Sequence, residues 1–211
     1  MGVLDYIFPK KCVSCKRPGS YLCENCFVYI SFDAKSFCLA CNKRVFNNLT
    51  HETCLKKHTI NGCFSALYYT KTTQKLIYNF KQKPFLTDLK TVLSELFYES
   101  IIQNENFNKQ LQKGDWILVP IPLLLTKLRK RGYNQAEILA RGLSKNLNLK
   151  TFNILEKSKD SFLIKKGFEI KEINIFLVDD IVKTGATLKK AAKVLKEFGA
   201  GKVFGLTLAS K

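Results

Sequence analysis

No stretch of the 211 residues stays apolar over the roughly 18 positions that a membrane-spanning helix needs, so stable membrane insertion is not expected. The opening residues Met1-Gly2-Val3-Leu4-Asp5-Tyr6-Ile7-Phe8-Pro9-Lys10-Lys11 also lack a basic segment followed by a long apolar core. They do not read as a secretory signal, and the cytoplasm is the expected compartment. Acidic residues are scarce: 17 Asp and Glu against 35 Lys and Arg leave a formal net charge of +18. That balance favours polyanionic partners, nucleic acid or phosphorylated ligands among them. A Lys-rich codon bias accounts for the same excess with no partner at all. Cysteine is absent beyond residue 63, and with no export signal the eight up to that point are poor candidates for disulfides.

Six of those eight form three C-x-x-C pairs: Cys12/Cys15, Cys23/Cys26 and Cys38/Cys41. A fourth pair carries histidine in its first slot, His51-Glu52-Thr53-Cys54. The segment is therefore a repeat of two knuckle pairs, offset by 26 residues at Cys12→Cys38 and 28 at Cys26→Cys54. Each half supplies the four N/S ligands of a closed, structural zinc site. Two such ions with seven thiolates lower the net charge from +18 to +15. About sixty residues bury little core, so metal ligation would supply the folding energy. Cys63 is left over as a buried thiol, and His58 reads as exposed. An apolar content of 46% argues for a folded remainder, one α/β domain. The expected division is residues 1–62 for the zinc ribbons and 63–211 for the larger domain.

The most informative segment is Ile175-Phe176-Leu177-Val178-Asp179-Asp180-Ile181-Val182-Lys183-Thr184-Gly185-Ala186-Thr187. Four apolar residues read as a buried parallel strand, two carboxylates mark its C-terminal end, and a Thr/Gly turn opens a helix. Ligands of α/β sheets bind at that end, where the next helix presents free N–H groups. Thr184–Thr187 can aim amides and hydroxyls at a phosphate, with Gly185 allowing close approach. Asp179 and Asp180 can accept hydrogen bonds from vicinal hydroxyls. Acids beside a phosphate cradle suit a phosphorylated sugar. In the helix that follows, Leu188, Ala191, Ala192, Leu195 and Phe198 share one face; Gly199 and Gly201 suit its stop, and Lys202–Leu208 reads as a final strand.

Phe64–Tyr69 reads as a strand or hairpin arm and Thr73–Lys81 as a helix carrying Leu76, Ile77 and Phe80 on one side. Phe85–Ile102 reads as a longer amphipathic helix, burying Leu86, Leu89, Val92, Leu93, Leu96 and Phe97. Asn104–Gly114 is polar and expected to be a loop. Trp116–Val119 reads as a strand ended by Pro120 and Pro122. A basic stretch follows (Lys127, Arg129, Lys130, Arg131), then Gly132-Tyr133-Asn134-Gln135, with a helix from about Asn134 burying Ile138, Leu139 and Leu143. A cationic turn at a strand's C-terminal edge suits pyrophosphate.

The acid pair and turn resemble the loop that binds 5-phosphoribosyl-1-pyrophosphate (PRPP) in type I phosphoribosyltransferases. The likeness extends further. Val119-Pro120-Ile121-Pro122, then Leu128-Arg129-Lys130-Arg131-Gly132-Tyr133-Asn134-Gln135-Ala136-Glu137, with the cysteine pairs before and the VDDIVKTGAT loop after, resembles the ComF family in order and across essentially the whole chain. The resemblance implies a double zinc ribbon fused to a type I phosphoribosyltransferase-like parallel sheet flanked by helices. It also implies a role in natural transformation, bringing single-stranded DNA into the cytoplasm beside a helicase-type partner. Family members usually carry a longer Arg-rich segment, with a QxxL…R…N…F pattern, before the PRPP loop. Here residues 153–174 are short and offer only Lys157, Lys159, Lys165, Lys166 and Lys171, which bears on turnover and on any acceptor base.

Two functions follow as expectations. One is a phosphoribosyl transfer: Asp179 and Asp180 hold the ribose, Lys183, Thr184, Gly185, Ala186 and Thr187 the 5-phosphate, Arg129 and Arg131 the pyrophosphate, with Mg²⁺ accompanying PRPP. The other is a single-stranded nucleic-acid-binding or partner-docking module whose phosphoribosyl site is not catalytic. Phe46, Tyr68 and Tyr69 are then candidates to stack bases, or ordinary core.

Overall fold

A strand covered on both faces needs apolar side chains at successive positions, and residues 175–178 supply four. The computed structural model describes residues 10–82 and 87–211. Most of the opening segment considered above as an export signal, and Phe85 and Leu86 of the expected helix, lie outside the described residues. The strands are β1 (Gly62–Tyr68), β2 (Trp116–Pro120), β3 (Lys150–Thr151), β4 (Leu155–Lys157), β5 (Phe162–Ile164), β6 (Asn174–Val182) and β7 (Val203–Ser210). Five of them form one sheet in the order β1-β7-β6-β2-β3, every pairing parallel, while β4 and β5 make a separate antiparallel hairpin.

Alternation along β6 divides the core. Phe176 and Val178 pack with Leu118 against the helices Lys71–Gln82, Thr87–Ile102 and Gln135–Leu147. Ile175 and Leu177 pack with Val119 and Val203 against Leu188, Ala191, Ala192 and Leu195 of the helix Ala186–Glu197. Period-two placement on a doubly covered sheet requires this split. The expected parallel sheet flanked by helices is present. Among the described residues no helix is long and apolar enough to cross a membrane.

Two local expectations are corrected. Residues 104–114 are not a plain loop: Glu105–Leu111 is a helix, capped by the Asn104 side chain accepting from the Phe107 N–H at 3.0 Å. Phe107, fully buried against Phe64 and Phe176, holds that polar turn in place. Phe198 does not join the buried face of its helix and is 61% exposed. The helix ends at Glu197, and the left-handed turn at Gly199 (φ 90°) redirects the chain.

Strand order also locates the site. From β2 the chain steps outward to β3, then returns across β2 to form β6 on its other side. The topological switch point therefore lies between the C-terminal ends of β2 and β6, where open α/β sheets bind ligands.

Candidate functional site

Pairing with β7 carries β6 past its apolar run, through Asp179 opposite Thr207, to Val182 opposite Ser210. The acids thus lie within the last four residues of the strand instead of marking its end. A cavity of about 380 Å³ opens at this edge, lined by Asp179, Asp180, Tyr69, Lys81 and residues 183–187. Asp179 Oδ1 accepts from the Asp180 N–H at 2.8 Å. Burial first, and then the charge of Asp180, push the Asp179 carboxyl well above the usual carboxylate range. Asp180 Oδ2 instead pairs with the Lys81 ammonium.

The turn after β6 is shaped by Gly185, whose left-handed backbone (φ 68°, ψ 8°) opens the helix Ala186–Glu197. No side chain caps this helix strongly; Thr184 Oγ1 accepts from the Ala186 N–H at a long 3.5 Å. Ala186, Thr187 and Leu188 of the first turn line the cavity, and no acidic residue sits in that turn to offset the positive end of the helix dipole. Beneath the turn lies Leu39, fully buried: a β-carbon at position 185 would fall 2.5 Å from Leu39 Cδ2.

The basic stretch is helical (Leu125–Arg131), not a turn. Leu, Lys and Arg favour helix, and Gly132 (φ 78°) ends it, donating to the Leu128 carbonyl. Helical geometry then decides which cations converge. Lys127, Lys130 and Arg131 stand at i, i+3 and i+4 and line, with Lys81 and Gln82, a cavity of about 240 Å³. Arg131 Nη1 also donates to Gln135 Oε1 at 3.0 Å. Arg129, expected beside Arg131, does not line this cavity: two residues is about 200° around a helix, which leaves it exposed.

The cysteines gather as the spacing predicts. Cys12, Cys15, Cys23 and Cys26 form one cluster and Cys38, Cys41, His51 and Cys54 another, with all ligand atoms in each within 4.8 Å of one another. Cys15 and Cys23 sulfurs are 3.6 Å apart, close to the edge of about 3.8 Å implied by tetrahedral Zn–S bonds. The two halves match in backbone detail. Lys16 and Asn42, each next after a second cysteine, are left-handed (φ 68° and 60°) and donate to the Cys12 and Cys38 carbonyls. Burial opposes ionisation of Cys12 and Cys38, yet neighbouring backbone N–H groups bring both thiols down to about 6. Both clusters fit structural zinc ribbons. Cys63 stands apart, buried, its thiol pushed up to about 12 by burial. His58 lies 3.9 Å from Glu197 and joins neither cluster.

A double zinc ribbon domain matches residues 3–56 and a phosphoribosyl transferase domain matches residues 121–211. Competence protein F of Haemophilus influenzae is 27% identical over 96% of this chain and 98% of its own length. Competence protein ComFC of Streptococcus pneumoniae is 25% identical over 90% and 95%, and ComFC of Bacillus subtilis 34% identical over 50% and 49%. Along most of its length the chain is similar to competence proteins of the ComF type, and it joins a double zinc ribbon domain to a phosphoribosyl transferase domain.

In this chain the short segment 153–174 is not an open loop. It contains the β4–β5 hairpin, with Leu155 and Phe162 buried against the helix Ala186–Glu197, and Lys190 Nζ donating to the Asp160 carbonyl at 3.1 Å. Burial lowers the Lys157 pKa, while the negative charge of Asp179 works the other way. Two cavity residues escaped the motif reading, Tyr69 and Lys81. Lys81 did leave a trace: it stands four after Ile77, so it falls on the buried stripe of its helix where a lysine is out of place. Of the aromatics, Phe46 is 87% exposed, and Tyr68 lies under Lys35.

Proposed function

We propose that this chain binds PRPP or a closely related phosphosugar at the C-terminal edge of β6. The observation that carries the proposal is the placement of the acid pair, an uncapped helix start and a basic cavity around one switch point. In this reading Asp179 and Asp180 accept from the ribose hydroxyls, while Lys183, Thr184, Gly185, Ala186 and Thr187 hold the 5-phosphate. Lys127, Lys130 and Arg131 receive the pyrophosphate, and Arg129 has no part. Transfer needs no covalent nucleophile. The C1–pyrophosphate bond breaks through an oxocarbenium-like state, and an acceptor nucleophile bonds to C1. Pyrophosphate leaves with the bonding electron pair, and cations fixed around it stabilise its growing charge. Mg²⁺ carried on the pyrophosphate would add to that stabilisation. The eight clustered ligands would hold two structural zinc ions within a module of residues 1–62, with 63–211 forming the phosphosugar domain.

Relatives named competence proteins support a role in competence, which is read as DNA uptake. A place on the cytoplasmic side and beside a helicase-type partner is what the ComF resemblance alone implies. A second reading, contact with single-stranded DNA, draws support from a cavity of about 540 Å³ lined by Lys35, Arg44, Lys183 and Lys211. The Arg44 guanidinium lies 5.3 Å over the exposed Phe46 ring beside it. Such binding would weaken steeply with salt.

The deciding experiment is calorimetric titration of the zinc-loaded chain with PRPP and Mg²⁺, alongside Asp179→Asn/Asp180→Asn. Saturable binding that disappears in the double variant is expected. Affinity unchanged by the double substitution would reject the site.

A further inference from the structure

Lys81 lines both cavities, the one holding the acid pair and the one lined by Lys127, Lys130 and Arg131. Its ammonium is spent on Asp180, in a pair whose side chains are only 25% and 13% exposed. The backbone that carries it is pinned. Phe80 is buried, its carbonyl accepts from the Tyr133 hydroxyl, and the two rings lie 6.1 Å apart. Tyr133 belongs to the segment directly after the basic helix, so Lys81 is fixed relative to the cations of the second cavity.

This arrangement sets a conflict. A ribose diol is a neutral donor and competes poorly for a carboxylate already paired with an ammonium. Pyrophosphate carries several negative charges and offers Lys81 a stronger partner one cavity away. From this geometry we infer that Lys81 is exchanged between Asp180 and a pyrophosphate group, so that filling the basic cavity frees Asp180 for the ribose. The inference rests on the phosphosugar reading above and adds a regulation to it. Two anions, ribose 5-phosphate and pyrophosphate, bind with positive cooperativity where bare electrostatics would make each weaken the other. Reciprocity requires the same factor in both directions. Tyr133 acts here as a positioning residue.

The test is calorimetry on the zinc-loaded full chain with ribose 5-phosphate and pyrophosphate, each alone and each with the other saturating. Buffer without added Mg²⁺ prevents a shared ion from producing the coupling. In the wild type each ligand tightens the other about ten-fold. Lys81→Met weakens pyrophosphate binding alone and brings the coupling factor to one or below. Asp180→Asn, which releases Lys81 and keeps its charge, has the opposite sign on the first measure: pyrophosphate alone binds more tightly, and the coupling still collapses. A variant that retains the wild-type circular dichroism spectrum is required for either comparison, and the opposite signs separate a local effect from loss of fold. Both ligands binding independently or antagonistically in the wild type overturns the exchange while leaving the phosphosugar site standing. Coupling that survives Lys81→Met overturns it equally. Failure of the wild type to bind either ligand rejects the phosphosugar reading and the exchange with it.

Discussion

Alanine at position 185 tests whether the zinc ribbon supports the turn 184–187 through Leu39. The new β-carbon faces two costs. A left-handed backbone at φ 68° penalises an L-residue by about 1–2 kcal/mol. The contact with Leu39 Cδ2 at 2.5 Å adds overpacking of about 1–3 kcal/mol. Leu39→Ala alone empties a fully buried site and costs about 2–5 kcal/mol. In the double variant the truncated side chain makes room for the β-carbon, so the overpacking cost falls away and only the backbone cost remains. The double variant therefore loses less than the sum of the singles by about 1–3 kcal/mol, a coupling typical of residues in direct contact. Urea unfolding of the four zinc-saturated proteins, compared at constant slope, gives the cycle. Additivity within about 0.5 kcal/mol would refute the contact as an energetic link between ribbon and turn.

Two further outcomes follow from the site and the clusters. Asp179, with its carboxyl raised by burial and by Asp180, keeps in the folded state a proton that it has released in the unfolded chain. Its contribution is thus favourable at low pH and is lost as pH rises through the folded value, so Asp179→Asn gains stability on the wild type from about pH 4 upward. Urea midpoints across a pH series read this, and a difference independent of pH would contradict it. Loss of zinc from the second cluster by Cys41→Ser weakens ribose 5-phosphate binding more than loss from the first by Cys15→Ser, because Leu39 lies between Cys38 and Cys41. Titrations on proteins of measured zinc content check it, and equal effects from the two clusters would count against it.

What could be read in the sequence was whatever is local or periodic. Ligand spacing in the cysteine pairs, the apolar run 175–178, and the stripe Leu188, Ala191, Ala192 and Leu195 are each determined within a dozen residues, and each has its expected place. Misread parts depended on context that spacing does not carry. The polar segment 104–114 is held as a helix by one buried phenylalanine, Phe107. Treating Lys127–Arg131 as a turn paired Arg129 with Arg131, whereas helical geometry groups Lys127, Lys130 and Arg131. Lys81 joins the acid pair across about a hundred residues of chain, and only the burial of Leu76, Ile77 and Phe80 of its helix in the core brings the two together.

The same long-range packing bears on why a zinc ribbon precedes this sheet. An edge strand exposes unpaired N–H and C=O groups, which natural proteins cover. On β1 the ribbon provides that cover: the Tyr68 N–H donates to the Ser31 carbonyl at 2.8 Å, the Cys63 N–H to the Asn48 carbonyl at 2.9 Å, and Leu49 bridges Gly62. Gly62 permits the approach, since a β-carbon there would collide with the Asn48 carbonyl oxygen. The ribbon also sends side chains into the core on both faces of the sheet. Val13 and Ile30, from the first half, enter the core on the side of Phe64 and Leu76, and Leu39, from the second, enters on the side of Leu188 and Gly185. A module that closes one sheet edge and fills both faces beside it shares the core of the larger domain. Metal held by the two clusters would then contribute to the folding of both, and the turn 184–187 stands directly on Leu39, between Cys38 and Cys41 of the second cluster.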